Sequence, residues 1–260
     1  MADKFAIITG ASTGIGFELA QLAAENGYDL LVVADEPLID AAAADFRNKS
    51  VDVQAVEADL STIEGVDRLL AAAGGRDIDV LCANAGTGHG GAFLDQDVAG
   101  WRHVIDTNIT GTLYLLQKIL PRMMARGEGK VLITGSIAGY IPGAFNAVYN
   151  GTKAFVDNFT AALQNELKDA DGVTVTNLMP GPTDTEFFAR AEMLDTEVGQ
   201  AEKADPAKVA KDGWDALMAG RASIVSGVSN KLQYAASGLA PVGVLAEMHR
   251  KQAEPGGADD

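Results

Sequence analysis

The sequence predicts an α/β chain: a doubly wound parallel sheet of about seven strands with helices on both faces, folded as one domain. Three observations carry this. Short β-branched runs alternate with Ala/Leu-rich stretches of helical length, the pattern of strands covered on both faces by crossover helices. The first of these runs opens into spaced glycines just before a helix begins. The 260 residues suit one domain of this kind, and no long linker or internal repeat divides them.

The expected strands are the runs at 4–10 (KFAIITG), 29–35 (DLLVVAD), 51–59 (VDVQAVEAD), 78–86 (IDVLCANAG), 130–136 (KVLITGS), 173–181 (VTVTNLMPG) and 222–227 (ASIVSG). After the first strand come Gly10, Gly14 and Gly16, which permit a tight turn and the close approach of a phosphate to a helix N-terminus. A glycine-rich turn without any ligand would read the same way, and the spacing is G-x-x-x-G-x-G rather than G-x-G-x-x-G. The second strand ends in Asp35 and Glu36, where an acidic side chain can accept hydrogen bonds from an adenosine ribose, or simply face solvent. The third ends in Asp59-Leu60, which could place a carboxylate near an adenine, and the fourth in Asn84-Ala85-Gly86, small residues that leave room for a ligand at the mouth of such a sheet. His89 follows between glycines, which suits a surface position. A helical stretch then spans about 101–126, interrupted by Asn108 and Gly111, with a kink expected at Pro121.

The stretch 136–153 carries the chemistry. Tyr149 and Lys153 are four apart and share a helix face, with Ser136 thirteen residues ahead at the end of a strand. A lone phenol, with a reference pKa near ~10, is a poor base at neutral pH. An adjacent ammonium lowers that value and makes a usable acid/base. By itself Tyr-x-x-x-Lys is also what a solvated helix turn displays. Further on, the segment of about 184–205 has no firm periodicity. Its Phe187, Phe188, Met193 and Leu194 would give a lid an apolar underside, or pack as a short surface helix. Phe145 is expected on the opposite wall. The tail AEPGGADD is expected to fray.

Composition narrows the partners. There are 36 acidic against 20 basic residues, a net charge of −16, which argues against nucleic acid and anionic membrane surfaces. No apolar run reaches membrane-spanning length, and no signal peptide is apparent. The single cysteine, Cys82, sits in an apolar run, excludes an internal disulfide and fits a reducing cytoplasm. No metal site is expected.

Taken together, these motifs resemble the short-chain dehydrogenase/reductases over nearly the whole length. The matching residues are Thr9-Gly10-Ala11-Ser12-Thr13-Gly14-Ile15-Gly16, Asp59-Leu60, Asn84-Ala85-Gly86, Asn108, Ser136, Tyr149-x-x-x-Lys153 and Pro180-Gly181. Ala83 departs from the pattern, since many members carry a second Asn there. The resemblance implies a Rossmann-type fold, a nicotinamide cofactor and hydride exchange with a small-molecule secondary alcohol or ketone, which the aromatic residues Phe187 and Phe188 suggest is apolar. It implies that Tyr149 gives or takes the proton, that Lys153 lowers its pKa and holds the nicotinamide ribose, that Ser136 orients the substrate oxygen, and that Asn108 anchors a relay water. Cofactor contacts are implied for Gly10, Ser12, Thr13, Gly14, Ile15, Gly16, Asp35, Asp59, Leu60, Asn84, Ala85, Gly86, Tyr149, Lys153, Pro180, Gly181, Thr183 and Thr185. The cofactor-binding half is about 1–135 and the catalytic and substrate half about 136–260.

The neutral Thr13 and the carboxylates of Asp35 and Glu36 favour NAD over NADP, and with it alcohol oxidation. Relatives of the NAD type commonly carry the acid one place earlier, at Ala34. The family commonly assembles as dimers or tetramers through two long helices, here those with Leu113, Leu116 and Leu120 and with Phe155, Phe159, Leu163 and Leu167. Three readings compete with the alcohol dehydrogenase: a nucleotide-binding regulator that lost the chemistry, an NADPH-dependent carbonyl or 3-oxoacyl reductase, and a sugar-nucleotide epimerase or dehydratase. The last usually has a larger C-terminal domain.

Overall fold

In a computed structural model, residues 4–259 are described. Among them, seven strands form one parallel sheet: β1 (Phe5–Thr9), β2 (Asp29–Ala34), β3 (Val53–Glu57), β4 (Val80–Ala83), β5 (Gly129–Thr134), β6 (Val173–Met179) and β7 (Ser223–Val225). Their order across the sheet is β3-β2-β1-β4-β5-β6-β7. Each strand falls inside a run expected from the sequence, except that β5 begins one residue earlier, at Gly129. Chain direction across the sheet reverses between β1 and β4, which pair through Ala6–Val80 to Ile8–Cys82. The loops leaving those two strands therefore open a crevice at their carboxyl ends, where ligands bind in sheets of this type.

Alternation along β1 sorts the core. Ala6 and Ile8 face one side, with Leu19, Ala20 and Ala23 of α1 (Gly14–Glu25) and Val209, Ala210, Trp214 and Leu217 of α9 (Pro206–Met218). Phe5 and Ile7 face the other, with Leu115, Leu116, Ile119 and Leu120 of α5 (Thr112–Arg126) and Val156 of α6 (Ala147–Glu166). Fully burying each large aliphatic side chain contributes about 1.5–3 kcal/mol. Cys82 is fully buried in the first of these cores, as expected of a small hydrophobe.

The remaining helices are α2 (Leu38–Arg47), α3 (Ile63–Ala72), α4 (Val98–Ile105), α7 (Phe187–Arg190), α8 (Glu197–Gln200), α10 (Val228–Ser237) and α11 (Val242–Ala253). Three of these carry side-chain caps at their starts: Thr62 accepts from Gly65 N, Asp97 from Gly100 N and Thr196 from Gly199 N. The long helix expected over 101–126 is instead α4, a π-turn over Asp106–Gly111, and α5. Gly111 in this turn allows a close approach to the segment after β3, since a Cβ there would lie 1.9 Å from Leu60 O. Pro121 sits inside α5, and the helix runs on through Arg126.

Two expectations are corrected here. Over its described residues the C-terminal tail does not fray, and Asp260 lies outside them: Gly256 N donates to Asp195 Oδ2 at 2.9 Å, and Ala258 N donates to Asp195 O at 3.1 Å. These amides satisfy acceptors on the segment around α8, which offsets the tail's entropy of ordering. Leu116 and Leu120 do not form an outward helix face either, because both are buried in the monomer core, and Phe159, Leu163 and Leu167 pack against it. Of the second stripe only Phe155 is exposed, at 40%.

Candidate active site

The crevice is a cavity of ≈ 440 Å³, within the usual range for small-molecule sites. One end is lined by Gly10, Ser12, Thr13, Gly14 and Ile15 from the loop after β1, by Asp35, and by Asp59 and Leu60. Asn84, Ala85 and Gly86 form its floor, and Ser136, Tyr149, Lys153, Pro180, Gly181, Thr183 and Thr185 line the middle. Phe187, Phe188 and Met193 close the far side.

The first loop takes its shape from two glycines. Gly10 (φ +64°) and Gly14 (φ +59°) occupy the left-handed region, and a Cβ at Gly14 would meet Thr185 Cγ2 at 2.7 Å. Gly16 stands apart from the cavity lining. A Cβ there would lie 2.0 Å from Gly10 O, so its role is to let α1 pack against the end of β1. Asn84 braces the crossing point: its Nδ2 donates to Thr9 O at 3.2 Å, and its Oδ1 accepts from Thr134 Oγ1 at 3.0 Å. The sheet is thus tied at this level with Ala83 in the neighbouring position. Asp59 accepts from Ser61 N at 2.8 Å through Oδ1.

The four residues Asn108, Ser136, Tyr149 and Lys153 come together from the π-turn, the end of β5 and α6. Lys153 and Ser136 are buried, and Tyr149 is half-buried. Lys153 Nζ donates to Thr134 O at 2.8 Å and lies 5.8 Å from the centroid of the Tyr149 ring. Ser136 Oγ donates to Pro180 O at 3.3 Å. Burial pushes the Tyr149 phenol up to about 12, with the Ser136 hydroxyl pulling it partly back and Asp157 raising it further. The Lys153 ammonium is directed to the Thr134 carbonyl, and burial pushes its own pKa down. Asn108 is buried with its side chain fully engaged: Oδ1 accepts from Thr87 N, and Nδ2 donates to Thr87 O and to Thr152 Oγ1, all at 2.9 Å.

Phe187 lies over Tyr149, with ring centroids 4.9 Å apart. Phe188 is buried behind it in edge contact, with Ala191 and Met193. Leu194 is 52% exposed and is not part of that apolar surface. Phe145 does not line the cavity, contrary to expectation. With its backbone at φ 60°, its ring packs against the Phe188 cluster and lies 4.9 Å from the Arg250 guanidinium of α11.

The structure adds one group that the motifs did not single out and gives a second, already noted in the sequence, partners that the sequence did not show. Asp157 is one turn beyond Lys153 and buried, with Oδ1 accepting from Asn177 Nδ2 at 2.8 Å. Its carboxylate fills a notch beneath the loop carrying Ser136, and a Cβ at Gly139 would lie 2.6 Å from its Oδ2. Burial raises its pKa above the ordinary 3.8, against the pull of Asn177, Lys153 and the Ser136 backbone. The i, i+4 spacing from Lys153 was a signal available in the sequence. Glu36 is the second. Its Oε1 accepts from Ser12 Oγ at 2.6 Å and from Arg190 Nη2 at 2.7 Å, so it is tied to the loop and to α7 rather than free at the ribose end.

The sequence profile of the short chain dehydrogenase family matches residues 4–194. The chain belongs to this family. An uncharacterized oxidoreductase of Staphylococcus saprophyticus is 32% identical over 215 residues, covering 81% of this chain and 89% of the relative. Among solved structures, a short-chain dehydrogenase from Sphingobium yanoikuyae in complex with NADPH superposes with a TM-score of 0.80 at 29% identity, covering 91% of this chain and 94% of that one. The bulky-bulky ketone specific alcohol dehydrogenase from Comamonas testosteroni has a TM-score of 0.76 at 25% identity, covering 92% and 94%. This chain is therefore an oxidoreductase of the short-chain dehydrogenase family, with a Rossmann-type sheet. No helix among the described residues is long and apolar enough to cross a membrane.

Proposed function

We propose that the protein interconverts a secondary alcohol and a ketone of apolar character, using a nicotinamide cofactor with NAD preferred over NADP. The observation that carries this is the convergence of Ser136, Tyr149 and Lys153 on one wall of a cavity whose other end is the glycine loop. A nicotinamide dinucleotide suits the residues present, because the loop from Gly10 to Ile15 leaves bare backbone where a Cβ at Gly10 would meet Ala85 at 3.0 Å. When bound, such a cofactor supplies or removes the hydride.

The loop residues Ser12, Thr13, Gly14 and Ile15 would hold its phosphates, Asp35 its adenosine ribose, and Asp59 and Leu60 the adenine. Asn84, Ala85, Gly86, Pro180, Gly181, Thr183 and Thr185 would flank its nicotinamide half, with Lys153 at the second ribose. Ser136 donates a hydrogen bond to the substrate oxygen, and Tyr149 exchanges the proton with it. A phenol that keeps its proton at neutral pH is a donor, which suits ketone reduction. Alcohol oxidation requires the Lys153 ammonium to bring the phenol down. With the Asn108 side chain engaged by Thr87 and Thr152, a water held at this position would be bound through backbone released by the π-turn.

The segment of about 184–205 acts as a lid over the apolar substrate, with Phe187 as the group that meets it. The structurally similar enzyme from Comamonas, specific for bulky-bulky ketones, supports a bulky ketone or alcohol as substrate. The test is a panel of alcohols and ketones of graded bulk, followed by nicotinamide absorbance with each cofactor. Turnover of secondary alcohols or ketones with NAD(H) favoured is expected. No turnover of any member, or a tenfold preference for NADPH, contradicts the assignment.

A further inference from the structure

The Ser12–Glu36–Arg190 chain joins three parts of the sequence that are far apart. Ser12 belongs to the loop after β1, Glu36 follows β2, and Arg190 is the last residue of α7. Both donors reach the same oxygen of Glu36, Ser12 at 2.6 Å and Arg190 at 2.7 Å. Arg190 also lines the cavity, at the end shared with Ser12, Thr13 and Asp35. The pair is within reach of a ligand, since the Arg190 side chain is 43% exposed and that of Glu36 30%.

This is the end at which the adenosine ribose sits in the dinucleotide reading above, on which the inference rests. In folds of this type an acid at the end of the second strand takes an unmodified ribose, and an arginine nearby takes a ribose phosphate. Here both kinds of group are present, and the acid occupies the arginine. A guanidinium already paired with a carboxylate offers an incoming phosphate little net charge, and the same carboxylate repels it.

We propose that Arg190 is a specificity-determining residue for a phosphate on the adenosine ribose, held out of use by Glu36. Its place on α7, rather than in the glycine loop or directly after β2, makes recognition of that phosphate depend on the segment that also covers Tyr149. Discrimination between the two cofactors then lies in the Glu36–Arg190 pair as well as in Asp35.

Calorimetric titration with AMP and with adenosine 2′,5′-bisphosphate tests this without turnover, on the wild type, Glu36→Gln and the double variant Glu36→Gln/Arg190→Gln. Glu36→Gln should bind the bisphosphate about tenfold more tightly than the wild type, with AMP affinity changed about twofold or less. The double variant should lose that gain. Equal gains for both ligands, no gain for either, or a double variant that binds the bisphosphate as tightly as Glu36→Gln would each overturn the role of Arg190. If neither ligand binds any of the three proteins, the dinucleotide reading itself fails.

Discussion

At the residue scale, the site is governed by what burial does to a few polar groups. Burial pushes the Tyr149 phenol up to about 12, while the Lys153 ammonium donates to the Thr134 carbonyl. Glu36 shows the opposite case. Its carboxyl is held below the ordinary 4.5, chiefly by the Ser12 hydrogen bond and then by Arg190, against the effect of burial. A depressed carboxyl contributes stability above its unfolded pKa and loses it as pH falls through the folded value. The melting temperature of Glu36→Gln should therefore fall below that of the wild type at neutral pH and converge with it as pH drops below about 4.5. The deficit is small, at most about 1 kcal/mol for a pair this exposed. A deficit that persists unchanged at about pH 3 would show that the Glu36 charge is not its source. The pair was not legible in the sequence, since Glu36 and Arg190 are 154 residues apart and nothing local marks them as partners. Asp157 was legible in spacing but not in burial, which depends on Gly135 and Gly139 leaving room for its carboxylate.

At the element scale, that room is a testable constraint. A Cβ at Gly135 would coincide with Asp157 Oδ1, at 1.8 Å. Gly135→Ala must therefore displace either the carboxylate or the turn bearing Ser136. We expect a loss of about 1–3 kcal/mol, seen as a drop of several degrees in melting temperature, with a fall in turnover larger than the stability change explains. An unaltered melting curve would mean that the turn is looser than the packing indicates. The segment over 184–205 is the second element. Phe187→Ala removes the ring 4.9 Å from Tyr149 and should raise KM for bulky ketones more than for short ones. Equal effects on both count against an apolar lid. The sequence marked Phe187 and Phe188 by their chemistry, but Leu194 and Phe145 share that chemistry and point elsewhere. Backbone direction decided between them, and periodicity over two four-residue helices carries no information about it.

At the scale of the whole molecule, the sheet was the legible part. Strands buried on both faces must be continuously apolar, so β1, β2, β4 and β5 announce themselves in the sequence, and their carboxyl ends place the crevice. Assembly was less legible, because an apolar stripe at i, i+4 serves the core and an interface equally well. Here Leu116 and Leu120 serve the core, while Phe155 at 40%, Phe93 at 54% and Leu94 at 92% remain exposed. We propose that the protein is a homodimer or homotetramer that covers such residues, and light scattering at micromolar concentration should return a multimeric mass. A monomer there refutes the assembly without touching the chemistry. The chemistry is the central claim, and replacing one hydroxyl tests it most directly. Tyr149→Phe keeps the ring that packs on Phe187 and removes only the proton-bearing oxygen, so cofactor affinity measured by nicotinamide fluorescence should change by less than about threefold. Turnover of the best ketone in the panel should fall by a factor on the order of 10³ or more. A Tyr149→Phe enzyme that turns over within tenfold of the wild type would contradict the account.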